Sequence, residues 1–370
     1  MTREELCSKK LEALEAFEFP ETAVSCEKYG NGHINDTFLV VCKDGDAGKK
    51  YILQRMNDEV FKDPVSLMKN VVLVTDYLRE KIIERGGDPE RETLNPVRTH
   101  DGSAFYKDSI GSYWRMYKFI TDSVSLDKVR DADDFYQSGV AFGSFSGQMA
   151  GFDASQLVET IPDFHNTPKR YETFEQAVEA DICGRAKDVK EEIEFFRAHK
   201  QDMEYCANAL KEGRIPLRVT HNDTKLNNIM LDAATGKGIC VIDLDTVMPG
   251  LSVFDFGDSI RFGANTTAED EQDLSKVSLS LELFEIYVKG YLEGCGGALT
   301  EEEIRLLPYG AKNMTLECGM RFLTDHLQGD TYFMIHRENH NLDRAHTQIE
   351  LVKDMERKWD KMREIVEKYK

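Results

Sequence analysis

Two spacings of apolar residues divide this chain: short alternating or continuous runs up to about residue 120, and helix-period recurrence beyond it. Residues 3–17 read as an amphipathic helix. Residues 37–42 (TFLVVC) and 51–55 (YILQR) read as strands, joined by the turn-rich DGDAGKK. A helix is predicted over 64–85, ended by Gly86, Gly87, Asp88 and Pro89, and two more short strands over 104–107 and 113–120. Helical spacing then dominates, over 131–150, 171–212, 269–293, 301–327 and 346–369. The last stretch puts Val352, Met355, Trp359, Met362, Val366 and Tyr369 on one face, suited to packing on its own domain. A single β interruption, 218–245, carries most of the polar chemistry. The pattern predicts an α+β chain: a small β-rich unit over 1–120 and a larger, mostly helical unit over 121–370. No internal repeat or low-complexity linker is visible.

Composition narrows the class. With 41% hydrophobic and 31% charged residues, the 370-residue chain has the balance of a globular protein rather than a disordered one. Its formal charge of -20, from 67 acidic against 47 basic residues, argues against nucleic-acid or anionic-membrane partners. A nucleotide needs only a local phosphate site and stays open. The charged N-terminus has no signal-peptide core, and no run approaches the ~20 apolar residues of a membrane span, so a cytoplasmic location is expected. Eight cysteines, at 7, 26, 42, 183, 206, 240, 295 and 318, form no C-x-x-C pair and read as reduced thiols.

The chemistry concentrates in HNDTKLNN at 221–228, followed by ICVIDLD at 239–245. The first segment fits the kinase catalytic loop H-R-D-x-x-x-x-N, with Asn222 in place of the arginine. Five positions of loop can aim Asp223 at a substrate hydroxyl and Asn228 at Mg²⁺, while the apolar strand ending at Ile242 delivers Asp243 to the same metal. Lys225 is placed to stabilise charge on the phosphoryl group in flight. Turn building alone would explain any one of these residues, but not the ordered set. Downstream, Asp255-Phe256-Gly257 spells a kinase metal motif too far from Asp223; Asp255 is expected to brace the loop, with His221 also structural.

Near the N-terminus, Gly30 and Gly32 begin a G-x-G-x-x-G pattern with Asn35 at the third glycine. Strand-forming residues follow at once, so the loop joins two strands, as a phosphate-covering loop does and a dinucleotide-binding turn does not. The strand at 51–55 then carries Gln54 where a kinase has its phosphate-binding lysine, and alternation turns Arg55 to the opposite face. The phosphate anchor is left unassigned.

These residues together resemble the aminoglycoside phosphotransferase/choline kinase group of the protein-kinase-like superfamily, and within it the N-acetylhexosamine 1-kinases. The resemblance runs over nearly the whole chain: GHIN at 32–35, YILQR at 51–55, WRMYKF at 114–119, HNDTKLNN at 221–228, VIDLDTVMPG at 241–250, FDFGD at 254–258, RFLTD at 321–325 and GDTYF at 329–333. Gln54, unusual among kinases at large, agrees with that subgroup. The resemblance implies a two-lobed protein-kinase-like fold with ATP and Mg²⁺ in the cleft. It implies a hinge at 117–120, with Tyr117 and Phe119 beside adenine, and transfer of the γ-phosphate to the anomeric hydroxyl of GlcNAc or GalNAc. Arg321 and Tyr332 match hexosamine-contacting residues; His33, Asn35 and Phe262 are further candidates. On spacing alone, Glu317, Arg321 and Asp325 also suit a solvated salt-bridge ladder along one helix face.

Other readings differ in substrate or class. A kinase of another alcohol, such as an aminoglycoside, an amino alcohol or homoserine, would use the same loop. A nucleotide-binding pseudoenzyme would have lost the base or a metal ligand, yet Asp223, Asn228 and Asp243 are all present. A metal-dependent hydrolase lacks His-rich ligand spacing.

Overall fold

The computed structural model describes residues 3–19, 22–30, 34–43, 48–126 and 128–370. Five strands form the N-terminal sheet: β1 (Thr22–Lys28), β2 (Asp36–Lys43), β3 (Lys50–Arg55), β4 (Tyr106–Lys107) and β5 (Tyr113–Lys118), in the order β1-β2-β3-β5-β4. All pairs are antiparallel. Helix α1 (Arg3–Ala16) covers one face, where Leu14 and Phe17 meet Phe38, Val40, Leu53 and Trp114. Helix α2 (Pro64–Glu84) covers the other with Leu67, Met68, Val71 and Val74; Asp63 caps it, accepting the Ser66 N–H ahead of Pro64. Strand alternation therefore sends Leu53 and Trp114 towards α1, and Gln54, Arg115 and Tyr117 towards α2 and the cleft.

The short α3 (Pro89–Glu92) and the strand β6 (Ser123–Val124) lead into the helical region. There α4 (Ala132–Met149) packs along α9 (Leu281–Cys295) at unusually close range. A Cβ at Gly139 would come within 2.9 Å of the Tyr287 oxygen, and one at Gly143 would overlap the Tyr291 carbonyl. Around them lie α5 (Thr167–Ala180), α6 (Lys190–Ala198), α7 (Lys200–Lys211), α8 (Ser252–Gly263), α10 (Glu301–Arg305), α11 (Leu307–Leu327), α12 (His340–Arg357) and α13 (Trp359–Tyr369). No described helix is long and apolar enough to cross a membrane.

Two small sheets interrupt the helices. Strand β7 (Arg218–Thr220) pairs with β10 (Met248–Gly250), and β6 pairs with β8 (Ile229–Asp232), which forms a hairpin with β9 (Gly238–Val241). The loop 221–228 runs from β7 to β8, and the loop 242–247 returns from β9 to β10. Both ends of the two loops are thus clamped by the same pair of sheets.

The α+β, two-lobed expectation matches this architecture, with differences in detail. Strand β1 is absent from the sequence reading because it is an edge strand whose outer half is solvated and carries Glu27 and Lys28. The helix expected over 171–212 is three helices and a 3₁₀ turn, broken where Asp181 and Gly184 take positive φ. That expected over 269–293 begins only at Leu281, after the Ser280 cap. The stretch at 301–327 splits at Leu306, just before Pro308, and that at 346–369 splits at Lys358, whose ammonium is held by the Leu279 carbonyl and Asp354. Met355, Met362 and Val366 still share one buried face across the last break.

Candidate active site

Loop 221–228 is braced from beneath. The buried Asp255 carboxylate, on α8, accepts the N–H of His221 and of Asn222, each at 2.7 Å, and the Asp255 carbonyl accepts the Thr224 hydroxyl at 2.7 Å. Burial raises Asp255 above the usual carboxylate range, and the neighbouring His221 works against that rise. His221 is fully buried, edge-on to Phe142 and Phe145; its Nε2 donates to the Ile242 carbonyl at 2.9 Å and its Nδ1 accepts the Asp223 N–H at 3.3 Å. Asn222 takes φ +65°, the left-handed region, and its amide donates to the Thr246 carbonyl at 2.8 Å. That turn presents Asp223 to the cleft.

Asp223 is held on both oxygens. Lys225 Nζ lies 2.7 Å from Oδ1, and Asn228 Nδ2 donates to Oδ2 at 3.1 Å and to the Asp223 carbonyl at 2.8 Å. Burial opposes the Lys225 charge, but Asp223 outweighs it and raises the ammonium above its ordinary range. The β8–β9 hairpin then sets Asp243 beside Asn228, since the Ile242 N–H donates to the Asn228 carbonyl at 2.9 Å. Asp243 itself takes φ +58°. Solvent reaches its carboxylate, yet protein surrounds it on most sides. That lost hydration, with the like charges of Asp245 and Asp223, pushes Asp243 up to about 6, against the pull of Arg115.

On the sheet side, Asp245 is buried and ion-paired with the equally buried Arg115 of β5. Arg115 Nε donates to Gln54 Oε1 at 2.9 Å across the β3–β5 register, and Gln54 Nε2 donates to Thr37 at 3.0 Å. Asn35 donates to Asp245 Oδ2 at 2.7 Å and accepts the Asn57 N–H at 3.0 Å. Gly30 has φ +75°, whereas Gly32 and His33 lie outside the described residues. Tyr117 is buried, with its ring 5.3 Å from the Arg115 guanidinium; Phe119 meets Tyr29 edge-on, with ring centroids 6.0 Å apart.

On the helical side, His165 reaches the loop through the Asn222 carbonyl at 3.4 Å and binds Glu317 at 2.8 Å. Burial works against an imidazolium here, but Glu317 outweighs it and raises His165 above its usual range. Both ring nitrogens face oxygens that only accept, the arrangement a doubly protonated ring satisfies. Glu317 is spent: His165 takes one oxygen and the Thr167 hydroxyl the other, at 2.5 Å. Asp325 is spent as well, accepting the N–H groups of Thr331, Tyr332 and Phe333 at 2.8–2.9 Å and the Asn341 amide. The ladder that spacing allowed does not form.

Arg321 consequently makes no hydrogen bond or ion pair among the described residues. It lies among the rings of Phe164, Tyr332 and Phe333, at 6.0, 5.8 and 5.5 Å from their centroids. Tyr332 is exposed on its outer side. Phe262, also exposed, lines a cavity of about 380 Å³ with Thr224 and Leu226, a cavity that neither Asp223 nor Arg321 lines.

Sequence reasoning passed over Arg115, Asp245 and His165. The Asp243-x-Asp245 doublet was a visible signal for one of them. Arg115 needed the β3–β5 register, and a lone histidine far along the chain offers no local signal. One further group of possible ligands, His199, Asp202 and Glu356, is filled by Lys312, whose ammonium lies 2.9 and 2.8 Å from the two carboxylates.

Solved structures share the fold. An aminoglycoside phosphotransferase from Alicyclobacillus acidocaldarius superposes with a TM-score of 0.62 at 10% identity, over 97% of this chain and 96% of that one. A microcompartment-associated aminopropanol kinase gives 0.57 at 15% identity, over 96% and 98%. A spectinomycin phosphotransferase, determined with ADP and spectinomycin, gives 0.55 at 13% identity, over 96% and 94%. Residues 25–277, more than half the chain, match the phosphotransferase enzyme family (APH). The chain belongs to that family of phosphotransferases.

Proposed function

We propose that this protein transfers the γ-phosphate of ATP, with Mg²⁺, to the anomeric hydroxyl of an N-acetylhexosamine such as GlcNAc or GalNAc. Asp223 accepts the hydroxyl proton, Asn228 and Asp243 hold the metal, and Lys225 steadies charge on the transferred group. The residues fit Mg²⁺: Asp243, Asp245 and Asp223 crowd negative charge around oxygen donors, with Arg115 as the counter-charge engaged with Asp245. Bound there, the metal would neutralise phosphate charge. His221 and Asp255 keep the loop in shape. Gly30 and Gln54 border the phosphates, Tyr117 and Phe119 the adenine, and Asn35, Arg321 and Tyr332 the sugar; Phe262, in the separate cavity beside Thr224 and Leu226, is not assigned to it.

The observation that carries the acceptor reading is the unpaired Arg321. Each neighbouring carboxylate has a partner: Asp258 has Arg261 at 2.9 Å, Glu317 has His165, and Asp325 holds the backbone of 331–333. An ammonium acceptor needs a spare carboxylate or an open aromatic cage, and here the rings already surround Arg321. A neutral, hydroxyl-rich acceptor instead satisfies the guanidinium N–H groups.

A second reading, an amino alcohol or aminoglycoside acceptor, is supported by the activities for which the similar solved structures are named. ATP consumption over a panel of N-acetylhexosamines, other sugars, aminopropanol, choline and aminoglycosides, with NMR locating the product phosphate, separates the two. A sugar 1-phosphate is expected. Turnover confined to the amines replaces the sugar reading with the second one.

A further inference from the structure

Kinases commonly join their two lobes through a lysine on the third strand and a glutamate on the adjacent helix. Here both members are missing together. Gln54 stands at the strand position, and the residue of α2 that meets its bonded neighbour Arg115 is Met68, whose Sδ lies 3.9 Å from Arg115 Nη1. The acids of α2, Asp76, Glu80 and Glu84, are all on its solvent side.

One buried ion pair bridges the same gap from other elements. Arg115 rises from β5, paired in register with Gln54, and meets Asp245 two residues beyond Asp243. Asp243 sits in the left-handed region, which a non-glycine residue keeps only when its neighbours hold it there. The helical side supplies four such restraints: Ile242 is bonded to Asn228 and His221, the Thr246 hydroxyl donates to the His221 carbonyl at 2.7 Å, and the Thr246 carbonyl accepts the Asn222 amide at 2.8 Å. The sheet side acts on Asp245, by way of Arg115 and Asn35, while α2 reaches the far end of the loop through the Asn70 amide, which donates to the Val247 carbonyl at 3.0 Å.

We propose that Arg115, locked to Asp245, takes over the task of the kinase lysine–glutamate pair as a positioning residue. It ties the sheet to the metal loop and thereby sets Asp243 for Mg²⁺. Both its bonded nitrogens are already engaged and its side chain is 2% exposed, so it acts through Asp245 and Gln54 rather than on the phosphates themselves. The proposal rests on the reading of Asp243 as a metal ligand in an ATP site.

Calorimetry on the full chain, with Mg·ADP and with ADP in EDTA, tests it without relying on turnover. Arg115→Met is expected to weaken Mg·ADP about 10- to 100-fold, the usual cost of losing a residue that orients a metal ligand, and metal-free ADP by less than about threefold. Arg115→Lys should recover part of the loss, since charge returns without the two-nitrogen geometry. A folded Arg115→Met that binds Mg·ADP like the wild type, or loses both forms equally, overturns the proposal. If burying Asp245 unpaired prevents folding, the double variant Arg115→Met, Asp245→Asn removes both charges. It should show the same metal-linked loss, and wild-type Mg·ADP binding there is equally fatal. A wild-type protein that binds no Mg·ADP sinks the nucleotide reading itself, and the proposal with it.

Discussion

Glu317 and Arg321 lie one turn apart on α11 and do not pair. A surface pair at this spacing contributes about 0.3–0.5 kcal/mol, whereas a charged hydrogen bond in a buried site contributes about 1.5–3 kcal/mol. Glu317, 1% exposed, therefore binds His165 and Thr167 and leaves Arg321 to its aromatic surroundings.

Arg321→Ala should raise the acceptor KM roughly 10- to 100-fold, the equivalent of one charged hydrogen bond, with the ATP KM within about twofold. Steady-state kinetics varying each substrate in turn measure this. Equal effects on the two constants would remove Arg321 from the acceptor site.

Asp223→Asn should lower kcat by about 10²-fold or more while ADP affinity and melting temperature stay near those of the wild type. Asparagine keeps the shape and the contact with Asn228 but cannot take the proton. Near-normal turnover would exclude Asp223 as the base.

The raised Asp243 gives a pH test with a definite sign. Between the ordinary value of 3.8 and about 6, the folded chain keeps a proton that the unfolded chain has lost. Its contribution to stability is therefore full below about 3.8 and lost as pH rises through about 6. Mg²⁺ needs the deprotonated carboxylate, so the melting-temperature gain from Mg²⁺ at fixed ADP should be large well above this range and small well below it. Asp243→Asn should flatten that dependence. An identical gain on both sides of the range in the wild type contradicts the assignment.

Gly143→Ala should destabilise the fold by about 1–3 kcal/mol or more, because the new methyl overlaps the Tyr291 carbonyl and α4 must move off α9. Urea unfolding measures it. A change under about 0.5 kcal/mol would mean that the helices part freely.

Local pattern carried much of this protein. Alternating and helical spacings separate the sheet from the helices, because each element must turn one face to a core. The order of His221, Asp223, Asn228 and Asp243 is legible because all four lie on two short loops joined by one hairpin. The helix break at Lys358 is harder to read, since the Leu279 carbonyl that holds its ammonium lies far away in the chain.

The sequence by itself determined the phosphotransferase-like loop at 221–228, the short strand that delivers Asp243 beside it, and the two-part architecture, since these depend on neighbours within a few residues. Tertiary structure alone decided which charges are spent and which remain. Arg115 meets Asp245 across 130 residues, His165 meets Glu317 across 152, and Arg321 is left over. Burial makes such choices strict, because a carboxylate taken from water must find its partner inside, and chain order does not say which partner the fold will bring.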